Sequence, residues 1–127
     1  MPAKPFEANV RLQHDAQPPA AVIDLHGEIN ATAEARLNAA YAEAEGQNAP
    51  TIVLNFGDVS YINSTGIALI VGLLARARKA KRRLLVFGLS PHYQEIFQIT
   101  RLADFMSIFQ DEASALAGGG WRMADGR

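Results

Sequence analysis

The 127-residue chain has no cysteine, so disulfide frameworks and thiolate chemistry are excluded from the start. It has almost no net charge: 12 Lys and Arg stand against 13 Asp and Glu, a balance of −1. No global electrostatic case for nucleic acid or a membrane surface follows from that. No apolar run approaches the roughly 20 residues a membrane helix needs. Met1-Pro2-Ala3-Lys4-Pro5 is not followed by an apolar core, so no secretory signal is expected. A cytoplasmic protein that is not membrane-embedded is the expectation.

Catalytic signatures are equally scarce. There is no Gly-rich phosphate loop and no paired-glycine dinucleotide motif. His14, His26 and His92 are scattered without metal-ligand spacing. Ser64 lacks a Gly-x-Ser-x-Gly elbow. No catalytic residue, metal or cofactor is expected, and the chain is read as a binding module and not an enzyme.

What the chain does have is a hydrophobic content of 49% with 20% charged residues, the balance of one soluble globular domain. Phe6, Ala8, Val10 and Leu12 alternate with polar residues, as a half-buried strand does. Asp15 to Pro19 reads as a turn and Ala20 to His26 as a second strand, so the two form a hairpin. Gly27 to Asn30 breaks the pattern ahead of a helix capped near Asn30 or Thr32 and running to about Glu45. Ala33, Leu37, Ala40, Tyr41 and Ala44 share one face of it. Thr51 to Asn55 is a continuous apolar strand.

A polar join follows, and the chain is organised around it: Asn63-Ser64-Thr65-Gly66 opens a helix from Ser64 to about Lys79. A helix start leaves backbone N–H groups unpaired, and Asn, Ser and Thr oxygens accept from them. The cluster therefore reads either as ordinary capping or as a place where phosphate on Ser64, with Thr65 second, is well tolerated. Gly66 leaves room for a partner to approach. Ile67, Leu69, Ile70, Val71, Leu73 and Leu74 point nearly all round the helix. Gly72, mid-helix, is expected to be explained by close packing on the sheet. The basic run Arg76 to Arg83 reads as the solvated end of that helix, where cations are favoured, and not as a nucleic-acid site.

Leu84 to Phe87 is the next strand, and Ser90-Pro91 starts a helix with Ile96, Phe97 and Ile99 on its apolar side. Phe105 to Phe109 is read as a last strand, and Asp111 caps a helix through Leu116. The domain is placed at residues 1–117, with 118–127, including Trp121, a flexible tail. The element order implies an α/β fold: a mixed, mostly parallel sheet of about five strands with about four helices and an opening hairpin. Asn30 and Asn63-Ser64 should then meet at one sheet edge.

The stretch Asp58-Val59-Ser60-Tyr61-Ile62-Asn63-Ser64-Thr65-Gly66-Ile67 resembles the signature of the STAS domains, the family of bacterial anti-sigma factor antagonists. Its usual form is Asp-hydrophobic-Ser, an aromatic, a hydrophobic residue, then Asp-Ser-Ser/Thr-Gly. Gly27-Glu28-Ile29 is similar to the family's Gly-Glu-Leu-Asp loop, and Leu85 to Pro91 to its fourth strand and following Ser-Pro. Ile96-Phe97 through Leu102 is similar to its third helix and the link to its last strand. The likeness runs from about Phe6 to Leu116.

The resemblance implies binding to an anti-sigma factor, often a serine kinase of the histidine-kinase-like ATPase fold, switched by phosphorylation at the position of Ser64. It places Asn30, Asn63, Ser64, Thr65, Gly66, Ile67 and Ile70 at the partner-binding surface. Two positions depart from the pattern: Asn63 and Asn30 are neutral amides where the family has aspartates. The alternative is an unphosphorylated scaffold subunit of a stress-signalling or lipid-transport complex.

Overall fold

The structure is a computed structural model describing residues 5–13, 16 and 19–121, the last four of these by backbone alone. Five strands form one sheet in the order of the chain: β1 (Glu7–Gln13), β2 (Ala20–Ile29), β3 (Thr51–Ile62), β4 (Arg83–Phe87) and β5 (Ser107–Phe109). The hairpin β1–β2 is antiparallel and every later pairing is parallel. Four helices complete the order: α1 (Glu34–Gly46), α2 (Ser64–Lys79), α3 (Pro91–Ile99) and α4 (Glu112–Trp121). Short 3-10 turns at Ala31–Ala33 and Leu102–Asp104 lead into α1 and β5. The expected α/β class, hairpin and element count are those observed. The turn expected at residues 15–19 lies largely outside the described residues, as do residues 122–127 of the expected tail.

The sheet is covered on both faces, which is why its central strands read as unbroken apolar runs. Alternate side chains of a strand point to opposite faces. Ile23, Leu25, Ile52, Leu54 and Val86 therefore face the main core, against Leu37 and Tyr41 of α1, Ile70, Leu73 and Ala77 of α2, and Phe97 of α3. Val22, Val53 and Leu85 face the other way, beneath Ala115 of α4. Beyond that apolar patch the second face turns polar. Asp24 accepts from Asn9, Arg11 and Asn55, and Arg11 also donates to Glu112 at the start of α4.

Several sequence expectations need correction. β3 does not stop at Asn55 but continues to Ile62, so the signature segment Asp58–Ile62 is strand, paired along His26–Ile29 of a β2 that itself runs past His26 to Ile29. Register shifts beside His26 and Gly27, the latter at φ 90°, let the two extensions run past the core. Their polar residues are strand residues that face solvent, so polarity misled the reading. Ile99 is 70% exposed, and Tyr93 takes the place assigned to it on the buried side of α3. Residues 105 and 106 precede the short β5, and Phe105 is 54% exposed. Gly72 is not closely packed: it lies on the exposed side of α2, with nothing within 4 Å of where a Cβ would stand. The backbone of α4 stays helical to Trp121, beyond Leu116.

Candidate partner-binding edge

The C-terminal ends of β2 and β3 lie side by side, and α2 starts from the second of them. Asn63 is extended at φ −94°, and its side chain caps the helix by accepting from the Gly66 N–H at 2.8 Å. Its carbonyl accepts from the Ile67 N–H at 2.9 Å. Its own N–H donates to the Ile29 carbonyl at 3.2 Å, joining the two strand ends. The next residue of the first strand end, Asn30, caps the 3-10 turn by accepting from the Thr32 N–H at 3.0 Å and the Thr32 hydroxyl at 2.6 Å. The loops carrying Asn30 and Asn63-Ser64 thus meet at one edge, as the topology implied.

Gly66 fixes how closely they meet. A Cβ on this buried residue would stand 2.2 Å from the Ile29 carbonyl oxygen. The signature glycine is required by α2's contact with β2, not by access for a partner, and its neighbours Ser64 and Thr65 are exposed on the first turn. Ile67 is half-buried, while Ile70 is fully buried. Ile70 therefore belongs to the core beneath the edge and, in this conformation, offers a partner no surface. The exposed side of α2 is carried by Ser64, Thr65, Ala68 and Val71, with Tyr61 exposed at the end of β3.

Two contributors were not found from sequence. Tyr93 reaches from α3 to the last residue of β3: its hydroxyl accepts from the Ile62 N–H at 2.9 Å and lies 3.4 Å from the Ile62 carbonyl, to which it donates. One buried phenol thus satisfies both backbone groups immediately before the Asn63 cap. The signal in the sequence is a hydroxyl-bearing aromatic one turn after Ser90-Pro91. His26, expected at the end of the second strand, pairs with Asp58 of the signature at 2.7 Å across the bulged part of the β2–β3 ladder.

The first turn of α2 carries no acidic residue. Its unneutralised helix dipole therefore faces solvent beside two hydroxyls. Among the described residues, no group of three His, Cys, Asp or Glu is placed to hold a metal ion, and no helix is long and apolar enough to cross a membrane.

Comparison with known proteins agrees with this architecture. The STAS domain family model matches residues 11–115, and the chain belongs to that family. It is 30% identical over 82 residues to the anti-sigma-B factor antagonist of Listeria monocytogenes, covering 65% of this chain and 72% of that one. An anti-sigma factor antagonist from Mycobacterium paratuberculosis superposes with a TM-score of 0.74 at 19% identity, over 88% of this chain and 92% of that one. The Bacillus cell fate determinant SpoIIAA in its phosphorylated form superposes at 0.60 with 26% identity, over 83% and 95%.

Proposed function

We propose that this protein is an anti-sigma factor antagonist of the cytoplasm, acting by protein–protein binding, and that phosphorylation of Ser64 switches it. The partner is an anti-sigma factor, or a serine kinase of the histidine-kinase-like ATPase fold, docking on the edge formed by Asn30, Asn63 to Ile67 and the exposed side of α2. The observation that carries this reading is the placement of Ser64: exposed, first in α2, and held in register by the glycine contact to Ile29. The names of the relatives and the phosphorylated form of SpoIIAA support it.

The physics of the switch is local. A phosphate brings about −1.5 to −2 charges at pH 7. At the start of α2 it meets unpaired N–H groups and the positive end of the helix dipole, so the free protein accommodates it without refolding. Inside an interface the same charge must be desolvated or paired, which opposes docking. Because Asn30 and Asn63 are neutral, a phosphate would change an edge with no carboxylate at either cap into an anionic one.

Intact mass of the protein isolated from its native cells tests the switch. A gain of one phosphate, absent from the Ser64→Ala protein, is expected. No phosphate on Ser64 across growth and stress conditions would overturn the switch. The scaffold reading then takes over: it is favoured by the same two amides, which keep both caps without the family's charges. A transporter or stress-complex subunit as the stable partner would support it.

A further inference from the structure

β1 stands at one end of the sheet, and among the described residues only β2 pairs with it. Its outer backbone N–H and C=O groups are therefore open along seven residues, Glu7–Gln13. Such an edge is a template for another strand, and proteins blunt it with proline, lysine or a bulge. β1 contains no proline and no lysine, and its register against β2 is unbroken. Its one cation, Arg11, is bound to Asp24 and Glu112 on the second face of the sheet. The apolar side of the strand is also incompletely covered. Ala8, Val10 and Leu12 pack against the main core but stay half-buried, whereas their partners on β2, Leu25, Ile23 and Ala21, are fully buried. Beside Ala8 lies a cavity of about 220 Å³ walled by Arg36, Ala39, Ala40 and Glu43 of α1.

We propose that β1 pairs with the β1 of a second copy, antiparallel and centred on Val10, so that two sheets join into one. Val10 is the midpoint of the strand, so this register uses all seven residues. It sets Val10 against Val10, Ala8 against Leu12, Asn9 against Arg11 and Glu7 against Gln13. No like charges are opposed, which a cross-strand pair requires. Neighbouring registers are worse. Centring on Arg11 would oppose two arginines, and centring on Asn9 would set Leu12 and Gln13 against residues that precede the strand. On the core side the small Ala8, with its cavity, meets the larger Leu12 of the second copy. The two-fold axis repeats that fit at both ends, each copy supplying knob and hole. The pairing uses neither Asn30 nor Ser64, so it does not depend on the proposed phosphorylation.

Sedimentation equilibrium of the full chain over a range of concentrations tests it, together with cysteine crosslinking. A reversible monomer–dimer equilibrium is expected. Val10→Lys opposes two cations at the axis and should raise the dimer dissociation constant about tenfold or more. The native chain has no cysteine, so a single Val10→Cys reports the axis cleanly. Directly opposed residues of an antiparallel pair lie about 4.5–5.5 Å apart at Cα, within disulfide reach. Oxidation with diamide should therefore link Val10→Cys chains into covalent dimers much faster than Ala75→Cys chains, whose cysteine is exposed on α2. A chain that sediments as a monomer throughout, a dimer indifferent to Val10→Lys, or equal crosslinking of the two cysteine variants would overturn the proposal. Should Val10→Lys fail to fold, the wild-type sedimentation and the two crosslinking rates decide it.

Discussion

At the scale of single residues, the two glycines of α2 have opposite roles. Gly66 has no room for a side chain, because the Ile29 carbonyl fills it. Gly66→Ala must move α2 away from β2, and overpacking of this kind destabilises by about 1–3 kcal/mol, occasionally more. Gly72 has open space instead, and Gly72→Ala is expected to stabilise by about 0.5–1 kcal/mol through backbone entropy and helix propensity. Urea unfolding of both variants checks the pair, and a stabilised Gly66→Ala protein would refute the contact. Tyr93 gives a second prediction. Tyr93→Phe leaves the buried Ile62 N–H and carbonyl without that partner, a loss of about 1–3 kcal/mol. Faster hydrogen exchange at the Ile62 amide should accompany it. Unchanged stability and exchange would mean the phenol does not hold the strand end.

At the scale of elements, α4 is held to the second face by a polar bridge as well as by its small apolar patch. Arg11 binds Asp24 on β2 and Glu112 on α4 at once, and Gln13 adds a bond to Glu112 at 2.9 Å. Burial alone would raise the Asp24 carboxyl, but the hydrogen bonds from Arg11 and Asn55, together with the Arg11 charge, hold it below the usual aspartate value of 3.8. Arg11 is held above its ordinary range by its bonds to Asp24 and Glu112. The sign follows from linkage: the contribution of Asp24 is complete above pH 3.8 and is lost as the pH falls through the lower folded value. Urea midpoints should therefore hold between pH 7 and 5 as far as this group is concerned and drop below pH 4. Asp24→Asn should lower stability at pH 7 and flatten the acid limb; an unchanged limb would contradict the assignment. None of this network was visible in the sequence, where Asn9, Arg11, Asp24, Asn55 and Glu112 are scattered over a hundred positions. The elements themselves were visible where one physical signal dominated: Asn63 and Ser90-Pro91 as helix starts, and the apolar face of α1. They were not visible where polar residues continue a strand beyond the core, as in Asp58–Ile62, or where an aromatic stands exposed, as Phe105 does. The junction of the Asn30 and Asn63 loops followed from parallel topology alone. What the sequence could not supply was the reason for Gly66, because Ile29 is distant in the chain.

At the scale of the whole molecule, a sheet packed on both faces presents one rigid edge where two strand ends and the start of α2 are bonded together. Ser64 and Thr65 are exposed there, while Gly66, Ile70 and Tyr93 secure the turn from beneath. On the proposed reading, a phosphate on Ser64 acts through its added charge and not through a change of fold. The measurement that tests this most directly is affinity capture from native cells with the wild-type chain and with Ser64→Glu, the captured proteins being identified by mass. The expected result is a histidine-kinase-like ATPase or other sigma-regulating factor retained by the wild type and depleted at least tenfold by Ser64→Glu. Equal retention of the same partner by both chains, or a transporter subunit held by both, would contradict a Ser64-centred switch.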